Sequence, residues 1–195
     1  MNTPSHLIMT AAIRRAAPAC RLPASAVLLG AVAPDIPLTL VSLGAFVFFR
    51  YAQELPTTEV FEHMYGTLYF TDSGWMAAHN LLHAPFMILI GLLMCRGLYG
   101  AQRFTTGWWT WFLVSCLFHC LVDIFTHFDD GPLLFFPFDW TVRFYSPVSY
   151  WDTAHYGAQF FMFEAMLDSA LLIYLLGPRV VLGLRKLRSD KEAAN

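Results

Sequence analysis

Charge is scarce in this sequence. Only 13% of its 195 residues are Asp, Glu, Lys or Arg, against 57% hydrophobic, and the mean hydropathy is +0.50. A soluble domain carries about a quarter of its residues as charges, so composition places this chain in a membrane. A basic excess is lacking too. The net charge is −2 and no Lys/Arg stripe is interleaved with aromatics, which excludes a nucleic-acid partner. The four cysteines, Cys20, Cys95, Cys116 and Cys120, form no Cys-x-x-Cys pair and read as free thiols packed as small hydrophobes. Cys116 shares a helix face with His119 and stays open as a ligand. No Gly-x-Ser-x-Gly elbow or P-loop occurs, which argues against serine-hydrolase or nucleotide-driven chemistry. There is no internal repeat and no low-complexity segment. No cleavable signal peptide is expected, because Arg14 and Arg15 follow the first apolar residues instead of preceding a long apolar core.

Long apolar runs are abundant. They predict an all-α integral membrane bundle, a single domain over residues 1–195 with about four crossings. The first, Ala24 to Phe49, is broken by Ala33-Pro34-Asp35-Ile36-Pro37, so two half-helices should meet at Asp35. Such breaks are tolerated where they line a protein-buried or watered cavity. Residues 50–77, with Glu54, Glu59, Glu62 and Asp72, read as a polar, acidic loop in which His63 is solvated. The second span, Ala78 to Tyr99, opens on His79 and His83. The third, Gly107 to Phe128, opens on an interfacial cluster of Trp108, Trp109 and Trp111. Residues 129–157 are rich in aromatics and read as an interfacial loop lying on the bilayer or lidding a site. The last span, Ala158 to Leu176, contains Glu164 and Asp168, and residues 179–195 read as a basic cytoplasmic tail.

The basic residues orient the bundle. With four crossings and both termini cytoplasmic, ten of the twelve Lys and Arg fall inside, leaving Arg50 and Arg143 outside. His127 then lies near the outer surface, at the depth where His79 and His83 begin their span. If Arg14, Arg15 and Arg21 stay at the inner surface, residues 6–13 fold back into the bilayer. His6 then sits about 12 Å deep, and Asp35 at most about 20 Å deep, so both approach His119.

The third span carries the chemistry. His119, Asp123 and His127 recur at i, i+4 and i+8, which lines them along one helix face about 6 Å apart. Ionisable groups in an apolar segment cost free energy and mark function, and two imidazoles with a carboxylate suit zinc or a similar divalent metal. His79 and His83, also four apart, can share a metal. With His6 and Asp35 the candidate ligands number seven, enough for one or two ions. Asp129 or Asp130, just beyond the triad, would be the general base.

Thr3-Pro4-Ser5-His6, Ala33-Pro34-Asp35-Ile36, His79-x3-His83, His119-x3-Asp123-x2-Thr126-His127 and Gly131-Pro132-Leu133-Leu134-Phe135-Phe136-Pro137 resemble, in order, the motifs of the membrane-bound metal-dependent hydrolase family. Its members are also described as LexA-binding, inner-membrane-associated hydrolases. The resemblance covers roughly residues 3–140. A more distant likeness is to the helical core of zinc-dependent phospholipase C. The chain departs at Pro37 and Leu38, where the family has an acidic residue and a histidine, and it lacks the arginine usual between the first two histidines. The resemblance implies an inner-membrane, metal-dependent hydrolase; ligands near the outer surface under an aromatic loop point to metal-activated water acting on an ester, with a lipid phosphoester as the leading substrate. Non-catalytic metal-stabilised scaffolding and divalent-metal transport are the alternatives. The bilayer and a lipid-linked substrate are the implied partners, and oligomeric state is left open.

Overall fold

Prolines start most of the helices in the first half of the chain, where their missing N–H costs nothing. The computed structural model describes residues 1–20 and 22–193, with side chains through residue 178. Pro4 lies in the first turn of α1 (Thr3–Ala16), and Pro23 precedes α2 (Ala24–Gly30). Pro34 precedes α3 (Asp35–Val47), which continues as a π-helical turn over Phe48–Ala52. Pro56 precedes α4 (Thr57–Phe61), after which a second π segment, Glu62–Leu68, leads to the single turn α5 (Tyr69–Thr71). α6 (Ser73–Asn80) is capped by the Asp72 carboxylate, which accepts from Trp75 N at 3.0 Å. Pro85 opens α7 (Pro85–Thr106), Gly107 separates it from α8 (Trp108–Thr126), and α9 (Gly157–Ala193) closes the chain. No strand occurs among the described residues. Within α7, Gly100 takes φ +69°, a conformation other residues resist, and bends the helix there.

Among the described residues, four helices are long and apolar enough to cross a bilayer: Asp35–Ala52, Pro85–Thr106, Trp108–Thr126 and Gly157–Pro178. The third is the centre of the bundle, with 44% of its most apolar window buried within the protein against 6%, 11% and 6% for the others. The outer helices therefore turn apolar side chains outward, as a bundle dissolved in lipid does. The chain is an all-α membrane bundle.

α8 is gripped from two sides. Ile88 of α7 packs with Cys116, Cys120 and Ile124 in one apolar cluster. On the other side α2 comes so close that a Cβ on Gly30 would lie 2.3 Å from Phe112 O, so only glycine fits. That approach lets Ser115 Oγ donate to Val27 O at 2.6 Å. α1 docks along α9: Ser5 Oγ donates to Asp168 at 2.6 Å, and Arg15 Nη1 donates to Tyr174 O and Leu175 O. Pro178 has no N–H to offer Tyr174 O four residues back, so the arginine supplies the missing donor.

Three expectations need correction. The break in the first apolar run lies over residues 31–34, overlapping the expected 33–37 with Asp35 to Pro37 inside α3, but residues 50–77 are largely helical. Val60 and Met64 are fully buried against Leu38, Val41 and Phe46, while Glu59 and Glu62 are exposed. The acidic composition was that of the outer faces of short amphipathic helices. His63 accordingly sits half-buried, edge-on to Phe49 at 4.8 Å, and is not a solvated loop residue. Lastly, His79 and His83 do not open the second span. His79 is on α6 and His83 in the turn after it, because Pro85 forces Ala84 out of the helical region (ψ 120°) and restarts the helix. Arg21 and the side chains of the basic tail, including Arg179, Arg185, Lys186, Arg188 and Lys191, lie outside the described residues.

Candidate metal centre

Breaking the first apolar run at Pro34 has a direct consequence for α8. The Ala31 carbonyl, left over at the end of α2, accepts from His119 Nδ1 at 2.8 Å. Asp35, the first residue of α3, then points its carboxylate at the same imidazole. Asp123 sits one turn further along α8, and His83 arrives from the turn before Pro85. Asp35, His83, His119 and Asp123 each offer one ligand atom, and these atoms all lie within 4.8 Å of one another. The separations are narrow. His83 Nε2 is 3.0 Å from His119 Nε2, 3.3 Å from Asp35 Oδ1 and 3.4 Å from Asp123 Oδ2. His119 Nε2 is 3.5 Å from Asp35 Oδ1 and 3.0 Å from Asp123 Oδ2.

The tautomers make this arrangement informative. His83 Nδ1 donates to His79 O at 2.9 Å and His119 Nδ1 to Ala31 O at 2.8 Å. With each Nδ1 holding its hydrogen on a carbonyl, both Nε2 atoms present lone pairs to each other at 3.0 Å. Two lone pairs at that range repel unless a positive charge, a proton or a metal ion, lies between them. Two carboxylates facing the same point satisfy the same requirement. The group could therefore hold a metal ion.

Around the four donors lies a second layer. Asp123 Oδ1, turned away from the two histidines, accepts from the Met1 nitrogen at 2.8 Å and lies 2.9 Å from His6 Nε2. His6 is fully buried and stacks on His119 at 3.6 Å. Thr3 Oγ1 donates to Asp35 Oδ2, so α1 supports both acids. His127 was expected on the α8 face, but the helix ends at Thr126 and His127 is extended (φ −124°). Its Nδ1 donates to Asp123 O at 2.9 Å and is 3.8 Å from Asp123 Oδ1. His79 stacks on His83 at 4.6 Å, and neither of its nitrogens has a partner among the described residues. Burial pushes its pKa well down, so it stays neutral. The four-donor group thus leaves out His6, His79 and His127, which adjoin it. Cys116 does not join it: the side chain is packed in the apolar cluster between α7 and α8.

A cavity of about 630 Å³ opens onto this group, with Asp35, His79, His83, Asp123 and His127 on its floor. Asp129 and Asp130 line its upper wall. Asp129 is exposed, whereas Asp130 is fixed by Trp151 Nε1, which donates to its Oδ2 at 2.7 Å. The segment over residues 129–157 contributes Asp129, Asp130, Tyr150 and Trp151 to this cavity and is anchored by the buried Asn80, whose Oδ1 accepts from Leu133 N at 2.6 Å.

Reading the sequence left Asn80, Glu164 and Asp168 without roles. Glu164 is buried in the apolar face of α9 and accepts from Asn2 N and Nδ2 at 2.8 and 2.7 Å. A carboxylate in the middle of an apolar span was the available signal for it, but its partner is 162 residues away. Glu164 and Asp168 hold the start of α1, and with it His6, against the site.

No curated protein and no solved structure matches the chain. A family model does, over residues 1–185, almost the whole length. An apolar bundle wrapped round a buried His/Asp group is thus a member of the YdjM inner membrane protein family.

Proposed function

We propose that the protein is a membrane-embedded, zinc-dependent hydrolase whose substrate is an ester, with lipid phosphoesters as the class. One observation carries this reading: four converging donors, three of them buried and Asp35 half-buried, at separations close to those of a tetrahedral zinc and opening onto a cavity large enough for a headgroup. Bonds of about 2.0–2.1 Å at tetrahedral angles place ligand atoms about 3.3–3.4 Å apart. Five of the separations in the group run from 3.0 to 3.5 Å. Imidazoles mixed with carboxylates suit zinc better than magnesium or calcium, which prefer oxygen shells. His6, His79 and His127 adjoin the group and are the reserve for a second ion.

A bound zinc would supply a water acidified to a pKa of about 7 and a positive charge to stabilise the negative charge that develops on the ester's oxygen. The rest falls to the chain. His83 and His119 are held at their Nδ1 atoms by carbonyls, which aims both Nε2 atoms at one point. His6 holds Asp123 Oδ1 and so directs Oδ2 inward. Asp129, exposed on the cavity wall and without a side-chain hydrogen bond among the described residues, is placed to take a proton and pass it to solvent. The apolar surface beside the cavity lets acyl tails stay in the bilayer while the headgroup reaches the floor. With ten of twelve basic residues on one side, we place that side and the C-terminus in the cytoplasm and the site in the outer half of the inner membrane; the N-terminus, expected in the cytoplasm, is instead held in the site by the bond from the Met1 nitrogen to Asp123.

The test is to assay the metal-loaded protein in detergent against phosphate monoesters, diesters and phospholipids, beside Asp123→Ala. Wild type should turn over at least one class, and the variant should lose metal and turnover together while keeping its helical circular dichroism. Unchanged turnover in the variant overturns the site assignment. Fully metallated wild type without turnover on any ester makes the group a structural centre of a scaffold.

A further inference from the structure

We infer that the cavity selects a headgroup bearing a primary ammonium, so that the substrate is an amino-alcohol phosphoester; this rests on the hydrolase reading above. The lining carries five carboxylates, Asp35, Glu62, Asp123, Asp129 and Asp130, and no lysine or arginine among the described residues. Its cation is the Met1 nitrogen, paired with Asp123 at 2.8 Å. That charge and one divalent ion bring three positive charges, four with Arg143 behind Tyr69 and Phe70, against five negative ones, and ionised carboxylates are the rule at neutral pH. An anionic headgroup such as glycerol phosphate meets a wall of its own sign, whereas a zwitterion can put its phosphate on the metal and its cation on the wall.

The wall is also aromatic. Phe61, Tyr65, Tyr69, Phe70, Tyr150 and Trp151 line the cavity between the carboxylates. Ring faces attract cations, most strongly where water is thin. Arg143 already lies over Tyr69 and Phe70, 5.6 and 5.7 Å from their centroids, and donates to Gly131 O. No cation among the described residues covers Phe61, Tyr65, Tyr150 or Trp151; Phe61 stacks on Tyr65 and Tyr150 packs against His127, so Trp151 presents the most open ring to a ligand.

Two unpartnered acceptors distinguish a primary ammonium from a quaternary one. Asp130 Oδ2 is engaged by Trp151, but Oδ1 is buried and has no partner among the described residues. His79, 6% exposed, lines the same cavity with both nitrogens unpartnered. Buried polar atoms in folded proteins are almost always bonded, so Asp130 Oδ1 and the lone-pair nitrogen of the neutral His79 point to a donor that the protein itself does not supply. A protonated amine has three N–H groups to give and a trimethylammonium has none.

The experiment uses the full-length metal-loaded protein in detergent. Isothermal titration with O-phosphoethanolamine, phosphocholine and glycerol 3-phosphate reads headgroup preference without turnover, and micelles of phosphatidylethanolamine, phosphatidylcholine and phosphatidylglycerol with matched chains read it in hydrolysis. Phosphoethanolamine should bind about tenfold tighter than glycerol phosphate, the span of one desolvated cation–ring contact, with phosphocholine between them. In Glu62→Gln/Trp151→Leu, whose changes lie on the cavity rim, the ratio of ethanolamine to glycerol affinity should fall toward one. Equal affinities, tighter binding of glycerol phosphate, or no binding of any of the three overturns the inference. Hydrolysis that favours phosphatidylglycerol overturns it while leaving the hydrolase standing. Ethanolamine-selective binding without hydrolysis of any lipid leaves the selectivity standing and removes the hydrolase.

Discussion

Replacing Gly30 by alanine should damage both the bundle and the metal group, although Gly30 is not a ligand. The added Cβ would sit 2.3 Å from Phe112 O and 2.7 Å from Ser115 Cβ, where ordinary contact begins at 3.4 Å. α2 must therefore back away from α8 by about 1 Å, because neither backbone can yield locally. Two bonds cross that gap: Ser115 Oγ to Val27 O at 2.6 Å and His119 Nδ1 to Ala31 O at 2.8 Å. Overpacking costs about 1–3 kcal/mol, and weakening two buried hydrogen bonds adds about 1 kcal/mol each. Alanine returns about 1 kcal/mol of helix propensity, which leaves a net loss of about 2–4 kcal/mol. Losing the carbonyl that orients His119 should also weaken metal binding about 10–100-fold. SDS titration of the protein in mixed micelles, followed by circular dichroism, reads the first effect, and competition with a chromophoric chelator reads the second. Gly44→Ala is the control, since nothing lies within 4 Å of the new Cβ; it should be neutral or slightly stabilising. If the two variants are equally stable and bind metal equally well, the tight α2–α8 contact does not build the site.

His6→Ala, which removes the ring stacked on His119 and the partner of Asp123 Oδ1, should weaken metal binding about 10–100-fold with helicity retained, read by the same chelator competition. Cys116→Ala should cost about 1–2 kcal/mol of SDS-resistant stability through a small cavity and leave metal affinity within twofold; a large loss of metal would make Cys116 a ligand. Glu164→Leu strands Asn2 N and Nδ2 without an acceptor, so it should cost about 2–3 kcal/mol and, by freeing the start of α1, lower metal affinity as well.

What was legible in the sequence followed hydropathy and short spacings. The apolar runs marked the four long helices and Pro34 marked the break, because both signals are local, whereas Pro37 is accommodated in the first turn of α3. The placement of His6 and Asp35 beside His119 was reached from the rule that keeps arginines at the inner surface, which fixes depth without knowing contacts. Residues 50–77 mislead because the short helices α4, α5 and α6 and two π segments, Phe48–Ala52 and Glu62–Leu68, leave too few apolar positions for a clear period. His127 was read as a third turn of α8, yet the helix stops one residue earlier, and terminal residues are where such readings are weakest. Glu164 and Asp168 stood out as acids in an apolar span, but nothing local names partners at Asn2 and Ser5. The free Ala31 carbonyl, which sets the His119 tautomer, is invisible to any reading of side chains.

Metal analysis of the purified full-length protein tests the central claim most directly, joined to X-ray absorption at the zinc edge. The predicted result is at least one zinc per chain, four-coordinate, with imidazole and carboxylate ligands at about 2.0–2.1 Å. Protein that retains its helices with no bound transition metal, or that binds its ion in a six-coordinate shell of oxygen alone, would contradict a zinc centre built from Asp35, His83, His119 and Asp123.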